Sequence, residues 1–185
     1  MIKRLFDITL SLFFLLFLIP VLILVAILIK IESKGPAIFT QLRVGKNGNE
    51  FSIYKFRSMI VDAPGQGPYF TQDNDPRITR VGRLVRKTSL DELPQLINVL
   101  KGDMSLVGPR PNVIAQRSEY TSEDWNKRNS VRPGITGLAQ ATLRSAATTE
   151  ERTKLDLEYV DKSSFLFDIK ILIMTVGQVL GKGGF

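Results

Sequence analysis

The apolar run ITLSLFFLLFLIPVLILVAILI, residues 8–29, decides where the rest of the chain can lie, because it contains no charged residue. A straight helix of this length would reach ~33 Å, enough to cross a hydrocarbon core of ~30 Å. The run is long for the apolar part of a signal peptide, and no small-residue cleavage site follows it. The sequence therefore predicts a membrane segment that is retained.

The course of this segment depends on Pro20, which lies near its middle. Proline removes a backbone hydrogen bond and clashes with the preceding turn, so a kink is expected. A kinked helix that still spans the membrane is one interpretation. Basic residues flank the run on both sides, at Lys3, Arg4, Lys30 and Lys34. Because either spanning orientation would push a basic flank outward, we favour a re-entrant anchor over residues 1–34, broken at Pro20.

The composition narrows the chemistry of the remaining residues, 35–185. The chain has 185 residues, no Cys and no His, which excludes Cys nucleophiles, Ser-His hydrolases, disulfide scaffolds and the usual zinc sites. Catalysis would depend on carboxylates, Lys, Arg, Tyr, hydroxyl groups or an oxygen-bound cation such as Mg²⁺. The net charge of +7 indicates an anionic partner: nucleic acid, phospholipid headgroups or a phosphorylated substrate.

The body following the anchor combines a hairpin with helices. Residues 37–45 and 51–59 have the composition of two strands, and the turn KNGN joins them. Lys55 and Arg57 share one face of the second strand, where a solvated hairpin edge is the plain alternative to a binding role. Residues 62–77 and 131–140 are rich in turn-forming residues and predict loops.

Three further segments have helical patterns. Residues 78–88 place basic side chains, Arg86 among them, between apolar ones, so this helix would face either anionic groups or plain solvent. Residues 150–159 predict a short helix. Residues 164–180 are apolar apart from Lys170 and one narrow stripe formed by Ser164, Asp168, Thr175 and Gln178. That last helix is either core or a helix lying in the membrane interface, and we favour the interface.

The stretch SLDELPQL, residues 89–96, places Asp91 and Glu92 side by side ahead of a proline. Ser89 and Glu92 have the spacing of a helix capping box. However, Pro94 would then lie at a helical position whose N–H should be hydrogen-bonded. If the helix begins at Pro94 instead, both acids precede the positive end of its dipole, where carboxylates stay ionised and a cation could share them. The sequence leaves the cap and the catalytic centre open.

A stiff segment follows at Gly108-Pro109-Arg110-Pro111. Proline on both sides restricts the backbone of Arg110 before any ligand binds, as a phosphate clamp requires. Arginines in proline-rich surface loops are also common, so the segment alone does not decide.

Four motifs in this order, YKFRSM, TSLDELPQLINVLKGDMSLVGPRP, VRPGITGLAQ and LDLEYVDKSSFLFDIKIL, resemble those of the bacterial sugar transferases called small monotopic phosphoglycosyl transferases. The resemblance covers nearly the whole chain, anchor included. It implies an α/β fold that is mostly helical with a small hairpin, a re-entrant anchor, a cytosolic catalytic domain and amphipathic helices at the membrane surface. It also implies a bacterial inner-membrane protein whose catalytic domain lies on the cytoplasmic face.

The resemblance further implies a reaction, the transfer of a sugar phosphate from a UDP-sugar to a polyprenol phosphate with release of UMP. Asp91 would be the nucleophile and share a Mg²⁺ ion with the substrate, while Glu92 would act as acid and base or orient Asp91. The implied phosphate-binding residue is Arg110, with Arg86 and Arg144 as lesser candidates. Lys55 and Arg57 would contact the nucleotide or the lipid headgroup.

Two departures from the family pattern concern the anchor and the sugar. The chain has Ile19 before Pro20, where relatives often have serine, so the helix break can differ in shape. After GLAQ the chain continues ATLRS, with Arg144 in register and its neighbours changed. The sequence leaves open the sugar, the polyprenol, the glycan pathway and whether the protein dimerises. A rival interpretation is a membrane-tethered protein that binds nucleic acid or anionic lipid without catalysis; the enzyme interpretation involves no nucleic acid.

Overall fold

The computed structural model describes residues 1–67, 71–72, 75–143 and 148–181. The described chain is mostly helical and contains a hairpin, as the sequence predicted, and it has a second two-stranded sheet that was not predicted. The helices and strands, in chain order, are α1 (Ile2–Phe17), α2 (Ile19–Glu32), β1 (Ile38–Val44), β2 (Glu50–Phe56), α3 (Arg80–Lys87), α4 (Gln95–Lys101), β3 (Ser105–Val107), α5 (Ser122–Arg128), β4 (Gly134–Thr136), α6 (Leu138–Thr142), α7 (Thr149–Lys162) and α8 (Phe165–Gly181).

The apolar run forms the bent helix pair α1–α2, whose second helix has Pro20 in its first turn. Within the part of the chain that the structure describes, no single helix is long and apolar enough to cross a membrane. The two helices pass that test together, and they meet at an angle of 62°. The break that the sequence predicted is therefore present, and the pair is apolar enough to be a re-entrant element.

Both ends of this bent pair are fastened to the same body. At the start, Arg4 donates hydrogen bonds to the carbonyls of Val99 and Leu100, which close α4. At the other end, the Glu32 carboxylate accepts from the backbone N–H groups of Arg80 and Val81 and so caps α3. A carboxylate at the N-terminus of a helix meets its unpaired amides and its positive dipole end.

Polar side chains in the first turns of α1 connect this otherwise apolar helix to β3 and α8. Asp7 is buried and accepts hydrogen bonds from the Ser105 hydroxyl and the Leu106 amide on β3. Lys3 forms a 2.6 Å ion pair with Asp168 of α8. Both charged side chains have partners, so the face of α1 that carries them can pack against the rest of the chain. These contacts orient α1 toward the sheet.

The hairpin agrees with the prediction in its strands and in its turn. β1 and β2 pair antiparallel from Ile38 opposite Phe56 to Val44 opposite Glu50. Asn47 and Gly48 in the turn have φ angles of 58° and 80°. These left-handed values suit the Asn-Gly dipeptide, which lies within the five-residue connection between the strands.

The prediction of a loop over residues 131–140 was wrong, because that segment contains β4 and most of α6. β4 runs parallel to β3, with Ser105 opposite Gly134 and Val107 opposite Thr136. A strand of three residues is too short to show an alternating pattern of apolar and polar residues. The two strands also lie far apart in the sequence, so no local pattern revealed their pairing. The main core, with Val99, Met104 and Ile171 among its fully buried members, surrounds this small sheet.

The C-terminal helix α8 packs with its polar stripe inward. Asp168 meets Lys3 and the Tyr159 hydroxyl, and the hydroxyls of Thr175 and Thr136 are 2.8 Å apart. The opposite side leaves apolar side chains exposed, namely Leu166 (80%), Ile173 (68%) and Val176 (55%). The helix thus satisfies its polar groups against the core and presents an apolar face outward.

Candidate active site

The two adjacent carboxylates lie on a short 3-10 turn between α3 and α4, Leu90–Glu92. Ser89, just before it, has a φ of 55° and makes no capping hydrogen bond through its side chain. α4 begins at Gln95, directly after Pro94. The capping-box interpretation is therefore wrong, and the alternative, a helix that begins at the proline, is confirmed.

Asp91 is buried, with 9% of its surface exposed. Among the described residues, no hydrogen-bond donor contacts its carboxylate. Burial, and after it the negative charge of Glu92, raises the pKa of Asp91 to about 6, against the opposing charges of Lys55, Arg86 and Arg110. A carboxylate that lacks hydrogen-bonded donors keeps its oxygens available for a reaction or a cation.

Glu92 differs from its neighbour because two cations hold it. Its Oε1 accepts from Lys55 Nζ at 2.8 Å and from Arg110 Nη2 at 2.7 Å. Burial alone would raise the pKa of Glu92, but the charges and hydrogen bonds of Arg110 and Lys55 outweigh it and hold that pKa well below its usual range. Glu92 is ionised at neutral pH, and this geometry orients the two cations more directly than it orients Asp91.

Lys55 reaches the turn because α4 is fastened to β2. Asn98 of α4 is fully buried; its amide nitrogen donates to the Ser52 carbonyl at 2.8 Å, and its oxygen accepts from the Tyr54 amide at 3.0 Å. The Asn98 side chain therefore bonds to the backbone of β2 and fixes α4 beside the strand that carries Lys55. Burial, followed by the charge of Arg110, lowers the pKa of Lys55.

Arg110 is held through its own backbone. Its carbonyl accepts a 2.5 Å hydrogen bond from Arg128 Nη2, and Arg128 is in turn paired with Asp156 at 2.8 Å. The next carbonyl, that of Pro111, accepts from Arg43 Nη1 at 3.0 Å. The buried guanidinium group of Arg128 and the half-buried one of Arg43 therefore fix the segment that the prolines had already restricted.

The other arginines that the sequence singled out have different positions. Arg86 donates to the Ser58 and Thr71 hydroxyls at 2.8 and 2.9 Å, and its charge acts on Asp91. Arg57 is buried and donates to the carbonyls of Ser33 and Lys34, so it joins the end of the anchor to β2 rather than the carboxylate pair. Arg144 lies outside the described residues.

The residues present fit a magnesium ion in one specific way. In the described ranges no group of three acidic side chains converges, so a cage made by protein alone is not found there. Mg²⁺ commonly takes one or two carboxylates and completes its shell with water and substrate phosphates. Asp91 is suited to be such a ligand, whereas the Glu92 oxygen is already shared by two cations.

Sequence reasoning did not identify several residues that build this site. Arg128 and Asp156 meet across α5 and α7, 28 positions apart, so no local pattern could reveal them. Gln95 and Arg43, by contrast, lie within or near the quoted motifs. Gln95 follows Pro94 directly and Arg43 alternates with Gln41 along β1, so both could have been noticed.

Comparison with known proteins agrees with these motifs. The family model described as Bacterial sugar transferase matches residues 1–182. The chain is 43% identical over 182 residues to the sugar transferase EpsL of Bacillus subtilis (strain 168), covering 98% of this chain and 89% of that protein. It is 45% identical over 183 residues to the UDP-glucose:undecaprenyl-phosphate glucose-1-phosphate transferase of Escherichia coli (strain K12), covering 95% and 39% respectively.

A third relative carries the name of another sugar. The UDP-N-acetylgalactosamine-undecaprenyl-phosphate N-acetylgalactosaminephosphotransferase of Aeromonas hydrophila is 45% identical over 166 residues, covering 87% of this chain and 39% of that protein. The chain thus spans nearly all of the Bacillus relative but well under half of the other two. Because the match to the family model runs from the anchor through the carboxylate turn and into α8, the chain belongs to the bacterial sugar transferase family.

Proposed function

We propose that this protein transfers a sugar phosphate from a UDP-sugar to a polyprenol phosphate, through a covalent intermediate on Asp91. The observation that carries the proposal is the contrast between two adjacent carboxylates. Asp91 has oxygens that no described donor occupies, while Glu92 is ion-paired to Lys55 and Arg110. A nucleophile beside positioned cations is what phosphoryl transfer needs.

In the first step, an oxygen of the ionised Asp91 attacks the phosphorus that bears the sugar. The bond from this phosphorus to the bridging oxygen breaks, its electron pair leaves with UMP, and an aspartyl phosphosugar remains. In the second step, a phosphate oxygen of the polyprenol phosphate attacks the same phosphorus. The new diphosphate bond forms, the bond to the aspartyl oxygen breaks, and the Asp91 carboxylate is regenerated.

The surrounding charges have separate roles in this proposal. Arg110, whose side chain is half exposed, faces the incoming phosphates, and Glu92 keeps it beside Lys55. Arg86 adds further positive charge that acts on Asp91. Bound Mg²⁺ would neutralise charge on the diphosphate, with Asp91 as its protein ligand.

The proposed location is the cytoplasmic face of a bacterial inner membrane, with residues 1–34 as a re-entrant anchor and residues 35–185 as the catalytic domain. Both ends of the α1–α2 pair contact one body, through Arg4 at the start and Glu32 at the end. A helix that crossed a bilayer would separate its ends by ~30 Å, on opposite sides of the membrane. The outward apolar face of α8 supports contact with the same interface.

The accepted sugar stays open in this proposal, since the relatives named above carry the names of glucose and of N-acetylgalactosamine. The rival is a tethered protein that binds anionic lipid or nucleic acid without catalysis. It predicts that Asp91→Asn, which removes a negative charge from a basic surface, leaves binding intact or strengthens it.

The test measures UMP release from a panel of UDP-sugars, with polyprenol phosphate and Mg²⁺, in parent, Asp91→Asn and Asp161→Asn proteins. Asp161 is exposed and pairs with Lys127 on the surface, so its variant is the matched control. We expect turnover with at least one sugar in the parent and the control, and none with Asp91→Asn. Donor labelled in its phosphosugar, given without acceptor, should label the parent protein covalently. Turnover that survives in Asp91→Asn would refute the proposal.

A further inference from the structure

A small crevice lies beside the pair formed by Glu92 and Lys55. Its lining consists of Arg43, Ile53, Lys55, Gln95, Arg110 and Pro111. Its volume of about 10 Å³ has room for one water-sized group. The lining is polar and cationic, which distinguishes it from a packing void between apolar side chains.

Two of the lining side chains have buried N–H groups without a partner. Gln95 is 2% exposed, and its amide nitrogen has no hydrogen-bond partner within the described ranges. Arg43 donates through both terminal nitrogens, to Pro111 and Gln41, but its Nε is buried and has no partner among the described residues. An unpaired buried donor is destabilising, and two of them in the lining of one cationic crevice would both be satisfied by a single acceptor placed there.

The charge around the crevice is also unbalanced. Three cations line it, Arg43, Lys55 and Arg110, while two carboxylates act on them: Glu92, which is bonded to two of the three, and Asp91, which acts on Lys55 and Arg110 through space. Burial and the proximity of Arg110 lower the pKa of both Arg43 and Lys55, which is the direction that mutual repulsion produces. An additional negative oxygen would relieve this repulsion and satisfy the two unpaired donors together.

We propose that this crevice receives one non-bridging phosphate oxygen, with Gln95 and Arg43 as its neutral and charged donors. The ligand is a phosphate ester, and it has two possible sources, the diphosphate of the nucleotide sugar and the phosphate of the lipid acceptor. The inference rests on the proposed function for its ligand class. Gln95 is a binding residue in it and takes no part in bond making.

Gln95 provides the cleanest test because its amide nitrogen has no other partner to lose. Gln95→Leu keeps the volume and removes the donor. Gln95→Glu keeps the shape and replaces the donor with a carboxylate facing the cations. We expect the Glu variant to melt at a higher temperature than the parent, since it supplies the missing negative charge, and to bind phosphate esters most weakly of the three. A packing role would not move stability and affinity in opposite directions.

Binding is measured by calorimetry on the full-length protein in detergent, with UDP for the donor, farnesyl phosphate for the acceptor, and uridine as the ligand without phosphate. Gln95→Leu should lower the affinity for one or both phosphate ligands about tenfold and leave the affinity for uridine unchanged. A loss confined to UDP assigns the crevice to the donor, and a loss confined to farnesyl phosphate assigns it to the acceptor. Parent-like affinity for both ligands in both variants would overturn the inference.

The design separates this inference from the proposed function. If the parent turns over UDP-sugars while both Gln95 variants bind the phosphate ligands like the parent, the inference about the crevice is refuted and the proposed function is supported. If UDP binding to the protein depends on Gln95 but UMP is never released, the inference about the crevice is supported and the proposed function is refuted. A parent that binds neither phosphate ligand overturns both.

Discussion

Replacing Asp91 with asparagine should make the protein more stable while it removes the proposed nucleophile. The carboxyl is buried, and its pKa is raised from 3.8 to about 6 by burial and by the charge of Glu92. A raised carboxyl pKa means that the folded protein holds the ionised form at a cost. Asparagine keeps the shape and cannot ionise, so this cost disappears.

The size of the effect follows from the two pKa values. A pKa of 3.8 in the unfolded chain and about 6 in the folded one corresponds to about 3 kcal/mol of destabilisation once the carboxyl is ionised in both states. The penalty is absent below pH ~4, develops between pH ~4 and ~6, and is complete above pH ~6. Asp91→Asn should therefore stabilise the fold at pH 7.5 by up to about 3 kcal/mol and leave it unchanged at pH 4.

Denaturant or thermal unfolding of the detergent-solubilised protein at a series of pH values measures this difference. EDTA should be present, since a cation on Asp91 would stabilise the ionised parent and hide the effect. Asp161→Asn is again the control, because that carboxylate is exposed and its replacement should change stability by less than about 1 kcal/mol at every pH. In a parallel series with Mg²⁺, the parent should gain more stability than Asp91→Asn.

Two results would refute this reasoning. An Asn variant that is less stable than the parent at pH 7.5 would mean that a donor satisfies the carboxylate. A gain that persists unchanged at pH 4 would mean that the effect does not arise from ionisation. Only a gain that vanishes as the pH falls through the interval between the two pKa values supports a buried, strained nucleophile.

Three further predictions concern the pH profile, the brace of Arg110 and the packing of α3. Because the proposed mechanism requires Asp91 to be ionised, it predicts that kcat/KM for UMP release falls about tenfold per pH unit below pH ~6; a profile that stays flat to pH 5 would contradict a pKa of about 6. Asp156→Asn leaves the buried Arg128 without its counter-charge, so we expect about 3–5 kcal/mol of destabilisation by unfolding and a lower kcat/KM; a parent-like variant would show that the brace is dispensable. A Cβ on Gly82 would overlap the Ser58 carbonyl, so Gly82→Ala should cost about 1–3 kcal/mol in the same unfolding assay, whereas an unchanged melting temperature would show that α3 can move away.

Much of the architecture could be predicted because it depends on local chemistry. The break at Pro20 follows from the missing amide of proline, and the turn at Asn47-Gly48 follows from two residues that tolerate positive φ. The parallel pair of β3 and β4 could not be predicted in the same way. Its strands have three residues each, and they are defined by partners about 29 positions away along the chain.

For the pair Asp91 and Glu92, too, the sequence and the tertiary structure contribute different information. Composition excluded His and Cys from any catalysis, and the resemblance of the ordered motifs to the family pointed to the acidic pair. The residues of this stretch, taken without the resemblance, do not distinguish Asp91 from Glu92, because both are adjacent acids ahead of the same proline. That distinction belongs to tertiary structure, since Lys55 comes from a strand and Arg110 from a proline-bound loop, and both reach Glu92 only after α4 has packed against β2. Charges act through space, and so the roles of neighbouring residues were decided by what folding brought to each of them.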